Sequence, residues 1–272
     1  MNLNKSNVDF QTLQYKIDRS KFINKIDLIS LKNKFLKSKP FPHIFIDNMW
    51  NNDFLDKITL EVISFEDWAG EKDFFGSKKK KWQNNWDQLP YNSNKFLAFL
   101  NQSLFINILE FITNESGLIS DPHLEGGGIH STGNDGFLKF HIDFNWNDNL
   151  KLYRRINTIV YLNKDWKKEY GGQIELASMD ELKKFKSTLS VEPIFNRTLI
   201  FITDENSFHG QPNPVCHPME MRRNSIATYY YTSQKQYAYH DKKKRINTSY
   251  VSKSGKKIHN NLFSRIFKKL IK

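Results

Sequence analysis

Two residues separated by one, His141 and Asp143 in the segment FLKFHIDFN, carry the most chemical information in this 272-residue chain. In an extended strand, side chains alternate between faces, so an imidazole and a carboxylate at i and i+2 project to the same side while Ile142 turns away. That geometry lets both bind one metal ion. The third ligand has to come from elsewhere in the chain, and the candidate is His209, 66 residues after Asp143 and just beyond the apolar run RTLIFIT. Two imidazoles and one carboxylate are the donor set that binds non-haem Fe(II) on one face and leaves positions open for other ligands.

An HxD tripeptide alone is a weak signal, and its ordinary reading is a solvent-facing pair on a strand. The conjunction with a distal His and a following Arg-bearing strand, RRNSIATYYYT, changes that balance. A cosubstrate with two carboxylates needs one end on the metal and the other fixed by a buried cation. Arginine suits this because its planar fork grips a carboxylate through two charge-assisted hydrogen bonds and stays protonated. Arg223 shares strand parity with Ser225 and Ala227, small residues that leave room for a ligand, whereas Arg222 points the other way. The plain alternative is a pair of solvated arginines.

These residues need elements to hold them. Residues 1–38 are polar and Lys/Asn-rich and read as an N-terminal extension with one or two short helices. In KPFPHIFIDNMWNNDFLDKITLEVIS, His43–Ile46 read as a strand, and Asn51 or Asn52 can cap a helix over Phe54–Ile63. Residues 70–90 have no clean period and read as a long surface loop, a functional lid or mobile segment by its length. Apolar positions between Asn94 and Glu115 recur near 3.6 and predict one amphipathic helix. From about Ile119 the pattern changes to short runs bounded by Gly, Asn, Asp and Pro, the signature of a sandwich, jelly roll or barrel. The expected fold is mostly β with N-terminal helices (α+β): a double-stranded β-helix, or cupin-like jelly roll, with helices packed on one face. The expected organisation is an extension over 1–38, a domain over 39–240 with its jelly-roll core at about 119–233, and a basic tail over 241–272.

At this point the sequence resembles a known family. HIDFN, TIVYLNKDWKKEYGGQIEL, NRTLIFITDENSFHGQPNP and RRNSIATYYYT are together similar to the 2-oxoglutarate–Fe(II) oxygenase superfamily, in its prolyl-4-hydroxylase-like branch. The resemblance covers roughly 119–233, and PFPHIFIDN is similar to bacterial members. YLNKDW followed by Gly-Gly is especially close to the prolyl hydroxylases that modify hypoxia-inducible factor. The resemblance implies a dioxygenase using Fe(II), 2-oxoglutarate, O2 and ascorbate, with His141, Asp143 and His209 as metal ligands and catalytic centre. It places Arg223 and the Tyr161 hydroxyl on the distal carboxylate of 2-oxoglutarate. A further cosubstrate position falls near His130 or Ser131, and His130 is taken as the candidate. The Thr that such enzymes often carry four residues past the arginine is Ala227 here. Asp143, where related halogenases have a small residue, implies hydroxylation.

Other features have blander readings. The Gly126–Gly128 run lacks phosphate-cradle spacing and reads as a tight turn into a strand near the pocket mouth. His123 and His217 read as loop or pocket-lining residues, and Cys216 as an inert thiol. Lys78–Lys81 with Trp82 read as a solvated lid ahead of a docking site for an acidic substrate or nucleic acid; Tyr229, where nucleic-acid-repair relatives carry a second Arg, lowers the latter. The net charge of +12 is concentrated beyond Asp241, which is followed by eleven Lys or Arg and no Asp or Glu, leaving about +1 for residues 1–241.

The tail NNLFSRIFKKLIK combines an apolar stripe with a basic face over 255–272. It reads equally as a peripheral contact with an anionic membrane and as a helix packed on protein. A single Cys, the absence of a signal-like apolar core and of any apolar run of 18 residues make a soluble cytoplasmic protein the expectation, with peripheral membrane attachment through the tail. Two functions stay open: a hydroxylase acting on a small-molecule, peptide or glycan substrate (peptidyl or free amino acid, or lipid-linked sugar), and a non-catalytic metal-binding jelly roll that senses or scaffolds.

Overall fold

Local rules operate cleanly at the start of the domain. Strand β1 (His43–Asp47) leads into helix α3 (Asn52–Ile63), whose first turn is capped by the Asn51 side chain accepting from the Phe54 amide at 3.0 Å. The structure, a computed structural model, describes residues 9–179, 185–219, 221–233 and 247–251. The amphipathic reading of 255–272 lies outside the described residues.

Two helices precede β1, α1 (Phe10–Asp18) and α2 (Leu28–Lys37). From Asp9 onward, the segment read as an extension belongs to the helical layer. Leu13, Ile17, Leu28 and Phe35 are buried in the same core as the later helices.

The segment 70–90, expected as a loop, is a hairpin of β2 (Gly70–Phe74) and β3 (Ser77–Gln83), with β3 laid along a later strand. Its lysines alternate between a cavity face and an outer face, so no polar/apolar alternation exists to reveal a strand. The single helix expected over 94–115 is two, α4 (Tyr91–Leu100) and α5 (Ser103–Thr113), bent by 52°. The apolar period runs through the break at Asn101–Gln102, and periodicity alone does not register a bend. Helix α4 has no cap of its own; the Glu61 carboxylate of α3 accepts from the Asn92 and Ser93 amides at 2.8 and 2.9 Å.

The remaining strands are β4 (Ile119–Ser120), β5 (Gly128–Ile142), β6 (Trp146–Asn147), β7 (Leu152–Tyr161), β8 (Ile174–Met179), β9 (Phe185–Val191), β10 (Arg197–Ile202), β11 (Phe208–Gln211), β12 (Arg223–Thr232) and β13 (Ser249–Tyr250). The main order is β1-β10-β7-β12-β5-β11-β8-β9, antiparallel throughout. The GIHS and FLKFHIDFN runs are one strand, β5, which serves both layers. Its Gly128–Thr132 half pairs with β12 and its Leu138–His141 half with β11. Between them Gly133–Gly136 is extruded, because β5 advances from Thr132 to Phe137 while β3 advances only from Lys80 to Lys78. Asp135 takes φ +59° there, a conformation Asp tolerates better than most residues. The bent strand curls the sheet into a jelly roll.

Strand parity separates the two faces of the β1-β10-β7-β12 layer. Ile44, Ile200, Val160 and Ile226 face the helices and join a core with Phe96 and Phe105. Trp50 plugs this layer, its indole N–H donating to the Thr198 hydroxyl at 2.7 Å. The opposite face, carrying Asn157, Ile159, Ser225 and Ala227, lines the cavity.

Candidate metal and cosubstrate site

His141 stands at the end of β5, Asp143 just past it, and His209 on β11. The antiparallel register β5–β11 makes His209 the direct partner of His141. One donor atom from each of the three side chains lies within 4.8 Å of the others. The Asp143 carboxylate is 3.6 Å from His141 Nε2 and 3.4 Å from His209 Nε2.

The ring orientations are fixed from behind. His141 Nδ1 lies 2.9 Å from the Lys139 carbonyl and His209 Nδ1 lies 3.1 Å from the Ser207 carbonyl. A neutral imidazole that donates from Nδ1 presents the Nε2 lone pair, which is what a metal requires. Burial, opposed by Asp143 and reinforced by His141, lowers the His209 pKa to about 4, so this ring is neutral across the physiological range. The Phe201 ring packs on His209 at 4.7 Å between centroids, and Tyr250 of β13 packs on His141 at 5.4 Å.

Burial by itself would raise the Asp143 pKa, but Arg154 and the two histidines outweigh it and hold the carboxyl well below its ordinary range. Arg154 donates to Asp143 Oδ2 at 3.0 Å and Asn157 Nδ2 donates to the same oxygen at 2.7 Å. Arg154 Nε in turn donates to Asn157 Oδ1 at 2.9 Å, and its guanidinium lies 3.4 Å from the Tyr229 ring centroid. These partners orient the carboxylate without occupying the face it shares with the histidines. Replacing Arg154 with Met is expected to weaken metal affinity by about 10–100-fold, the usual cost of losing an outer partner of a metal ligand, with unchanged far-UV circular dichroism. A metal titration of both proteins reads it directly.

Arg223 opens β12 and lines the same cavity, about 290 Å³ in volume. Its Nε donates to the Gly172 carbonyl at 2.7 Å, so the terminal N–H groups remain to grip a carboxylate. The close approach depends on Gly172 itself, at φ +70°, where an added Cβ would lie 3.0 Å from the Arg223 Cδ. The Tyr161 ring lies 5.0 Å from the guanidinium, and its fully buried hydroxyl has no hydrogen-bond partner among the described residues. Burial raises the Tyr161 pKa, so the phenol keeps its proton and is a donor. A buried cation with spare donors beside an orphaned buried hydroxyl fits one end of a dicarboxylate, while the triad fits a metal at the other. Ser225 and Ala227 line the wall between them.

His130 also faces the cavity, whereas Ser131 faces away and donates to Asn224 Oδ1 at 2.7 Å. His130 is buried, and burial followed by Lys80 depresses its pKa well below the usual histidine value. Two further histidines singled out in the sequence lie outside the triad: His123 is exposed, and His217 packs between Trp166 and Tyr170. Cys216 is an exposed loop residue whose thiol donates to the Glu169 carbonyl at 3.0 Å. Gly126 sits at the cavity wall with φ +76°.

Fold and donor set together point to one class: residues 127–231 match the model of the 2OG-Fe(II) oxygenase superfamily, and the fold is the jelly roll of the prolyl hydroxylases. Among individual proteins, the chain is 26% identical over 198 residues to the prolyl 3-hydroxylase OGFOD1 of Mus musculus, covering 72% of this chain but only 34% of the mouse protein. In structure it is similar to a Pseudomonas putida prolyl-4-hydroxylase (TM-score 0.51, 14% identity, 76% of this chain and 100% of that one). It is also similar to a Trichoplax adhaerens prolyl hydroxylase solved with a hypoxia-inducible factor peptide fragment (TM-score 0.55, 18% identity, 84% and 94%).

Among the cavity residues, Arg154, Tyr250 and Lys72 escaped the sequence reading, and Lys80 entered it only as part of the Lys78–Lys81 run. Parity counted back from Ile156 would send Arg154 to the helix side. A bulge at Arg155 reverses this, since Tyr230 and Tyr231 are adjacent on β12 while their partners Ile156 and Arg154 are two apart. The Arg-Arg pair at the start of a strand was the available signal. Tyr250 had none, because its place depends on β13 pairing with β5.

Proposed function

We propose that this chain is an Fe(II)- and 2-oxoglutarate-dependent dioxygenase that hydroxylates an aliphatic C–H. One observation carries the reading: three ligand side chains from β5, its end and β11 converge within 4.8 Å, in the cavity that also holds Arg223. When bound, the metal and cosubstrate supply the oxidising chemistry, one oxygen atom of O2 entering the C–H bond and the other the succinate formed as CO2 leaves.

The chain's own contribution is positioning. His141 and His209 present Nε2 because the carbonyls of Lys139 and Ser207 hold Nδ1. Arg154 and Asn157 keep Asp143 ionised and oriented. Arg223 and Tyr161 would hold the distal carboxylate of the cosubstrate through the guanidinium N–H groups and the phenol O–H. The apolar wall, with Phe144 and Ile159, limits water around the reacting C–H.

As to substrate, the mouse relative is named a prolyl 3-hydroxylase and the Trichoplax neighbour was solved with a peptide fragment, which supports a peptidyl or free amino acid. The test is succinate formation from 2-oxoglutarate in the presence of Fe(II). The wild type is expected to turn over and His141→Ala to fall to background; equal rates in the two proteins would overturn the reading.

A further inference from the structure

The cavity carries more positive charge than the reading above employs. Arg223 is assigned to the cosubstrate and Arg154 to Asp143, yet Lys72 and Lys80 line the cavity as well. Their placement follows from strand pairing. Lys72 is the cross-strand partner of Lys80 in the β2–β3 hairpin, Lys80 is the partner of Thr132 on β5, and Thr132 is the partner of Arg223 on β12. Residues in one cross-strand row share a face, so at strand spacings of about 4.8 Å Lys72 and Lys80 stand one spacing apart, and Arg223 lies two spacings from Lys80 with Thr132 between them.

The neighbouring charges sit elsewhere. Glu71 and Lys81 are partners of each other, one residue out of step with this row, and so belong to the outer face. Lys79 is paired with Asp135 at 3.3 Å. Among the described residues neither Lys72 nor Lys80 forms an ion pair, and the acidic side chain lining the cavity, Asp143, is bridged by Arg154 at 3.0 Å.

Such a pair is unfavourable by itself. Like charges directly opposite in an antiparallel ladder repel, and Lys80 is half-buried. Burial first, then Lys72 and Arg223, push the Lys80 pKa down to about 7. Local conflicts of this kind belong to sites that receive a ligand, because a bound anion removes both the repulsion and the desolvation. Lys72 is exposed, which puts the pair at the open side, whereas Arg223 is buried.

We propose that Lys72 and Lys80 form a second anion subsite, separate from the one at Arg223, which holds a carboxylate or phosphate group of the substrate while its target C–H lies over the metal. The substrate is therefore an acid. This rests on the oxygenase reading, which supplies the metal and fills Arg223 with 2-oxoglutarate.

The test uses the full chain, anaerobic, loaded with Fe(II) and saturated with 2-oxoglutarate, titrated calorimetrically with inorganic phosphate and separately with acetate. One of the two is expected to bind, and which one identifies the substrate's anionic group. In Lys72→Met/Lys80→Met that affinity is expected to fall on the order of tenfold to a hundredfold, with 2-oxoglutarate affinity unchanged. Failure of both anions to bind wild type, or equal binding to the double variant, overturns the subsite. So does a parallel loss of 2-oxoglutarate affinity, which would assign the lysines to the cosubstrate. Should the double variant fold poorly, Lys72→Met alone, at an exposed position, carries the same comparison. The oxygenase reading fails on a different measurement, the absence of 2-oxoglutarate binding to the metal-loaded wild type.

Discussion

Asp143→Ala is expected to abolish both Fe(II) binding and 2-oxoglutarate turnover and, in addition, to destabilise the metal-free protein. The two effects have different origins. Loss of metal follows from removing the anionic member of a three-ligand set, leaving two neutral imidazoles on the ion. Loss of stability follows from Arg154, which is 3% exposed and has Asp143 as its carboxylate partner at 3.0 Å. Removing one member of a buried ion pair leaves the other uncompensated, at a cost of about 3 kcal/mol. For a chain of this size the melting temperature of the apo protein should fall by roughly 6–12 °C. The double variant Asp143→Ala/Arg154→Met separates the two: apo stability should recover most of the way while metal binding stays absent. Thermal unfolding with and without Fe(II) reads both. An apo Asp143→Ala protein as stable as wild type would show that the Arg154–Asp143 contact contributes nothing to the fold.

Arg223→Met is expected to weaken 2-oxoglutarate binding on the order of 10²–10³-fold, the usual effect of removing the charged partner of a buried carboxylate. Metal affinity should be unchanged, because Arg223 touches none of the three ligands. Apo stability gives a control of opposite sign. Burial lowers the Arg223 pKa, with Tyr161 only partly offsetting it, so the empty protein holds a poorly compensated cation. Its removal should leave the apo protein as stable or more stable, which distinguishes a lost contact from a misfolded variant. Calorimetric titration with 2-oxoglutarate after metal loading reads the affinity. If affinity persists, the distal carboxylate is held elsewhere, and Lys80 in the same cross-strand row is the group to examine next.

What consecutive residues determine by themselves is parity and capping. His141 with Asp143, and Arg223 with Ser225 and Ala227, could be placed on common faces because alternation is a property of a single strand. Asn51 or Asn52 could be named as a cap because such a side chain serves an amide a few residues away, and the structure selects Asn51, which accepts from the Phe54 amide. The separation of Arg222 from Arg223 follows the same rule, and Arg222 indeed turns outward to donate to the Ser131 hydroxyl at 2.7 Å.

Everything that depends on how one strand lies against another was decided by the tertiary structure. His209 meets His141 through the β5–β11 register, Arg154 enters the site through a bulge measured against β12, Tyr250 arrives on a strand from beyond the jelly-roll core, and Lys72 and Lys80 align with Arg223 across three pairings. The physical reason is that strands are joined by backbone N–H and C=O groups that are the same at every residue. Side chains therefore announce which face they occupy along their own strand, but not which neighbour they will stand beside, and a cavity is made of neighbours.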